Sequence, residues 1–129
     1  MTFRKFINKG LAVAALSVQA LIATTAWATE TDIGPVYLDS VGVLQVAGGG
    51  HLAGNMEIKI RGGFTLPSGM VCSNVYITTL KTTDPDRRMF ALLTSAHLMG
   101  KAVRLRITDA PELNAFNGRC SLMWVGIDP

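Results

Sequence analysis

A small, mainly β domain with a single helix is what this sequence predicts, and three observations predict it. Two stretches alternate without a fault: Met56, Ile58 and Ile60 against Glu57, Lys59 and Arg61, and Val103, Leu105 and Ile107 against Arg104 and Arg106. A period of two is what a strand needs to lay one face on a core. A third stretch, 84–100, carries Met89, Leu92, Leu93, Ala96 and Met99 at helical spacing, the single apolar stripe of an amphipathic helix. Glycine pairs and proline-containing turns punctuate the rest.

The chain opens on Arg4, Lys5 and Lys9, then an apolar run from Leu11 to Thr25, then Ala26-Trp27-Ala28. A basic start, an apolar middle and an A-x-A site are the parts of a secretory signal peptide. Residues 1–28 are therefore expected to be removed, leaving one domain, 29–129, that is exported to the periplasm or secreted. The apolar run falls short of the roughly 20 residues a membrane span needs, so no span is expected after removal. No cysteine stands at the cleavage site to take a lipid anchor. The 129 residues include 12 Lys+Arg and 9 Asp+Glu. Three of the basic residues and none of the acidic ones precede Thr29, so the mature domain is balanced. The excess positive charge belongs to the export signal. That removes the long-range attraction nucleic-acid binding relies on, and no nucleic-acid partner is expected.

The elements follow in order. Thr29 to Gly34 reads as a loose lead-in. Val36 to Val46 reads as a strand, with Gly42 marking a bulge or bend. The glycine-rich stretch 47–54 is a turn region. Asn55 to Arg61 is the second strand, ended by Gly62-Gly63. Pro67-Ser68-Gly69 is a further turn, and Val71 to Leu80, rich in β-branched residues, is the third strand. Asp84 is placed to cap the helix, with Pro85 at its first position and Asp86 near the positive end of its dipole. Gly100 suits the left-handed position that closes a helix. Ala102 to Thr108 is the fourth strand and 109–119 a loop. Cys120 to Ile127, nearly all apolar, is a last strand expected to be central or covered on both faces. The order β-β-β-α-β-β is that of a five-stranded OB-like barrel with the helix plugging one end. A flat α+β sheet covered by the helix is the alternative.

Cys72 and Cys120 are the only cysteines. An even count in an exported chain predicts a disulfide, contributing about 4 kcal/mol for a loop of this length. Two free buried thiols are the alternative. No metal is expected, because two lone cysteines lack a second pair. Of the two histidines, His97 is read as a half-buried helix residue and His51 as a solvated loop residue. No nucleophile elbow, zinc-protease motif or phosphate loop is present, and helix capping accounts for Asp84 and Asp86. No catalytic residue and no cofactor are therefore expected. The outward Lys59, Arg61, Arg104 and Arg106 have two readings, with Asp39 placed between their strands. They form a solvated ladder of ion pairs, each contributing about 0–1 kcal/mol, or a basic strip for an acidic ligand. Tyr37, Tyr76 and Trp124 are the aromatics able to stack on a sugar, Trp124 being expected in the core.

From Cys72 to Cys120 the chain resembles the B subunit of subtilase cytotoxin and small exported bacterial domains like it. The resemblance rests on a cysteine-bearing strand, the helix, FALLTSAHLMGKAVRLRI at 90–107 and the late cysteine opening the final strand. Gly100, Val103, Arg104 and Leu105 match the family's passage from helix through glycine into a V-R strand. The resemblance implies an OB-type fold, assembly as a ring of five and binding of sialylated glycans. It aligns Ser40, before Val41-Gly42-Val43, with a sugar-contacting serine of the first strand. The family's aromatic after the V-R strand has no counterpart, since Arg106, Ile107 and Thr108 stand there, and its second disulfide is absent. The expectation is an exported, non-enzymatic binding module, glycan-binding in the manner of a toxin B subunit. Ser40, Lys59, Arg61, Arg104 and Arg106 are its expected ligand-binding residues, an acidic glycan or a partner protein its expected partner, and a homo-oligomer its expected assembly. The alternative is a periplasmic structural or protein-interaction domain with no small ligand.

Overall fold

The computed structural model describes residues 28–128, so the expected signal segment, all but Ala28, lies outside the described residues. Six strands and one α-helix follow in the order β1 (Glu30–Val36), β2 (Leu38–Val43), β3 (Met56–Ile60), β4 (Tyr76–Thr79), α1 (Arg88–Leu98), β5 (Val103–Thr108) and β6 (Cys120–Ile127). A 3-10 turn, Pro111–Leu113, interrupts the loop before β6. The strands form one mixed sheet in the order β1-β5-β6-β4-β3-β2. Neighbours run antiparallel except β4 and β6, which are parallel.

In place of the expected five-stranded OB-like barrel there is an open sheet of six strands. The strand expected over 36–46 ends earlier, and the supposed lead-in is itself a strand. Val36 pairs with Val103 on β5, whereas Leu38 pairs with Ile60 on β3, so the chain changes partners across Tyr37. β1 and β2 are the two edges of the sheet. A single residue joins them, which leaves no turn with which to fold one back along the other. β1 escaped sequence reading because Gly34-Pro35 breaks its alternation, and the register shifts there. Gly34 has φ 123°, and a Cβ on it would lie 2.7 Å from the Val103 carbonyl oxygen. Only glycine lets β1 approach β5 this closely. Gly42, expected to be a bulge, pairs regularly with Glu57; the irregularity falls at Asp39 instead.

The clean alternations behave as the sequence predicts. Met56, Ile58, Ile60, Val103, Leu105 and Ile107 are buried, with Ile77, Leu122 and Leu93 packed among them. The helix lies against β2 and β6. It starts at Arg88, three residues later than expected, because Asp84-Pro85-Asp86-Arg87 forms a turn closed by Arg87 N–H to the Asp84 carbonyl (3.1 Å). Asp84 nevertheless caps the helix. Its buried carboxylate accepts the amides of Met89 (3.2 Å) and Phe90 (3.0 Å), two of the donors a first turn leaves unpaired. At the other end Gly100 takes φ 63°, with Gly100 N–H on the His97 carbonyl and Lys101 N–H on that of Ala96. Those two bonds make a Schellman closure. The buried stripe is narrower than expected: Leu93 and Ala96 are buried, but Leu92 and Met99 are exposed.

Cys72 and Cys120 form the predicted disulfide, with Cα atoms 5.2 Å apart. It ties the first residue of β6 to the segment leading into β4. Among the described residues no helix is long and apolar enough to cross a membrane.

Candidate functional site

Across β1, β5 and β6 the register aligns Asp32 with Arg106 and Arg106 with Trp124, so these three side chains stand in a row on the outer face. Arg106 reaches sideways to Asp32 through two parallel bonds, Nε to Oδ1 at 2.7 Å and Nη2 to Oδ2 at 2.9 Å. This fork holds the Asp32 carboxyl below the usual carboxylate range and favours the charged guanidinium in return. Glu30, two residues before Asp32 on the same face of β1, completes the acidic side. Together with Met123 and Trp124 these residues line an open hollow of about 370 Å³. Its formal charge is one net negative.

Trp124 was expected in the core, and it stands 49% exposed. The reason lies one residue earlier. Arg106 pairs with Trp124 but Ile107 with Leu122, which leaves Met123 as the extra residue of a bulge. The bulge reverses the parity of β6: Cys120 and Leu122 face the core before it, Val125 after it, and Trp124 is turned outward. The indole then folds along the strand over Gly126. A Cβ on Gly126 would sit 2.5 Å from the ring, so the glycine makes the space in which the indole lies. The signal in the sequence was Trp124 and Gly126 two residues apart. It could not be used without knowing the bulge.

The five residues proposed from sequence fall into two groups. Ser40 on β2 stands opposite Lys59 on β3, and Asp39 gathers Lys59 (3.5 Å) and Arg61 (3.2 Å). On β5, Arg104 pairs with Asp128 at 2.8 Å and Arg106 with Asp32. β3 and β5 flank the two halves of the stretch 30–43, but within the ladder β4 and β6 separate them. All four basic groups hold a carboxylate of the chain. Asp39 pairs with Lys59 and Arg61 on the β3 side, while Arg104 and Arg106 pair with Asp128 and Asp32.

A second constellation was not foreseen. The Arg119 guanidinium lies between two rings, 4.6 Å from the centre of Tyr76 and 4.3 Å from that of Phe116, and forms an ion pair with Glu57. His51 stacks on Phe116 at 4.1 Å, with Nε2 3.6 Å from Glu57 Oε2 and 3.4 Å from Arg119 Nη1. Burial and then the Arg119 charge push the His51 pKa down. Burial likewise lowers that of Arg119. His51 is thus no solvated loop residue: its side chain is 10% exposed. Its loop is pinned by the Gly48–His51 bridge, and the loop before β6 by Asn55, whose amide donates to the Ala115 carbonyl. Most of these groups face one another, while His51 Nδ1 is buried without a hydrogen-bond partner. His97 sits half-buried as expected, its Nδ1 3.1 Å from the Leu38 carbonyl. A carbonyl only accepts, so Nδ1 carries the proton.

Among the described residues no three His, Cys, Asp or Glu side chains gather as a metal site. Comparison with protein-family models, with curated proteins and with solved structures finds no match to the chain.

Proposed function

We propose that the chain is an exported, non-enzymatic binding module whose ligand is a glycan seated on Trp124. One observation carries this reading: a half-exposed indole, set against a glycine, at the end of a row that continues into a fixed guanidinium and two carboxylates. An indole face takes the apolar side of a sugar ring. The neighbouring charged groups suit hydroxyls, since hydrogen bonds to an ionised partner are the stronger ones. Because Arg106 is already engaged with Asp32 and the hollow is net negative, neutral hydroxyl-rich sugars suit it better than sialylated ones.

The strand order supports an OB-like reading of the fold. Taken as one bent strand, residues 30–43 flank both β3 and β5, as the first strand of that partly open barrel does. The sequence resemblance to a toxin B subunit points to a glycan as well, and the Cys72–Cys120 bond is compatible with export. A protein-interaction domain is the second reading, favoured by Leu92, Leu98 and Met99, which leave one end of α1 apolar and exposed.

The test is a glycan array carrying neutral and sialylated sugars, followed by titration of tryptophan emission. Binding that disappears in Trp124→Ala supports the module. A protein that binds no sugar on the array, or binds equally without Trp124, removes this site and leaves the second reading.

A further inference from the structure

We infer that the Ala28–Thr29 bond is a processing site whose product is locked into the fold: the α-ammonium released on Thr29 forms an ion pair with Asp109. The inference rests on the reading of residues 1–28 as a signal peptide, and its observations are independent of that reading. Thr29 N donates to Asp109 Oδ1 at 2.7 Å, and Asp109 N–H returns a bond to the Thr29 carbonyl at 3.3 Å. The pair extends the β1–β5 ladder by one rung beyond Glu30 and Thr108. Asp109 Oδ2 also accepts the amide of Val71 at 3.3 Å. One carboxylate therefore joins the start of β1, the end of β5 and the segment that carries Cys72.

Hydrolysis of the Ala28–Thr29 amide consumes one water and leaves a carboxylate on Ala28 and an amine on Thr29, which takes the proton. The atom already bonded to Asp109 changes from a neutral N–H to an ammonium. A hydrogen bond with both partners charged is roughly twice as strong as a neutral one. Few other charges face this amine. Glu30 follows it on β1, and the segment 64–72, whose Gly69 lies beside the Thr29 hydroxyl, carries no ionisable side chain outside the disulfide. Asp109 and Glu30 both favour the ammonium, so its pKa rises above the ordinary value of about 8. The stabilisation is present below that value and is lost as pH rises through the folded one.

The experiment uses the protein purified after export. N-terminal sequencing is expected to read Thr29. The amine of the exported protein, titrated by NMR, is expected above pH 8, and at a lower pH in Asp109→Asn. Acetylating it should lower the melting temperature of the wild type by about 4 °C at pH 7, with no further loss in Asp109→Asn. An exported chain that begins at Thr29 but whose amine titrates alike in both proteins overturns the lock while leaving the signal reading intact. An exported chain that begins elsewhere overturns both.

Discussion

Met123, squeezed out of the β5–β6 ladder, turns the largest side chain of β6 away from the core, and the consequence can be measured one residue at a time. Trp124→Ala removes a side chain that is half in water, so its stability cost should stay within about 1 kcal/mol, well short of the 3–5 of a buried tryptophan. Loss of sugar binding with an unchanged urea midpoint is the expected pair of results. Gly126→Val keeps the indole but fills its bed, since even a Cβ would lie 2.5 Å from the ring. A shift in tryptophan emission together with weakened binding is expected, and an unchanged spectrum would mean the ring does not lie over Gly126. Asp84 makes a different kind of argument. It caps the helix as the sequence predicts, yet from the first residue of a turn that sequence reading had counted as helix. Asp84→Ala unpairs the Met89 and Phe90 amides and should cost about 1–2 kcal/mol in chemical denaturation. The residue type announced the cap. The left-handed Arg87 that separates cap from helix was not legible, because nothing in an arginine advertises φ 58°.

At the scale of elements, patterns with an unbroken period were read well and patterns with a defect were not. β3 and β5 alternate cleanly, and each was placed to within a residue at either end. β1 holds one buried apolar residue, Ile33, around a Gly-Pro pair, and so reads as loop. β4 is short, Tyr76–Thr79, because Ser73 folds the preceding chain with its hydroxyl accepting the amides of Val75 and Tyr76. The helix was legible in kind but not in extent, and its stripe separates into two halves with different duties. Leu93 is fully buried where α1 meets the sheet, whereas Met99 is exposed, as is its neighbour Leu98 off the stripe. Leu93→Ala should destabilise by roughly 2–5 kcal/mol. Leu98→Ser should change stability by no more than about 0.5 kcal/mol. Similar small changes in both would mean that the helix does not pack on the core.

For the molecule as a whole, the sequence carried the strand content, the helix and the disulfide, but not the way the edges meet. Which strands pair depends on Tyr37, where 30–43 changes partners, and no local pattern marks such a point. The ion pairs were legible as a possibility; their partners were not, since Asp32 lay in a stretch read as lead-in. The Arg119 cluster was hidden for a similar reason: it joins His51 and Phe116, from the loops before β3 and β6, to Glu57 on β3 and Tyr76 on β4. That cluster sets how the fold responds to acid. His51 is stacked on Phe116 and faces Arg119 and Glu57, and burial followed by the Arg119 charge keeps its pKa below the ordinary value of about 6.5. Below that pH the unfolded chain binds a proton that the folded chain refuses. Stability must then fall as pH drops from about 6.5 towards the folded pKa, and level off beneath it. Asp32, whose pKa is also lowered, begins to contribute its own loss only below about pH 4, outside this window. Melting temperatures between pH 7.5 and 5 should therefore decline in the wild type and decline less in His51→Gln. A parallel decline in both proteins would move the acid sensitivity to another group, and a flat wild-type profile would show that His51 is not held in its neutral form.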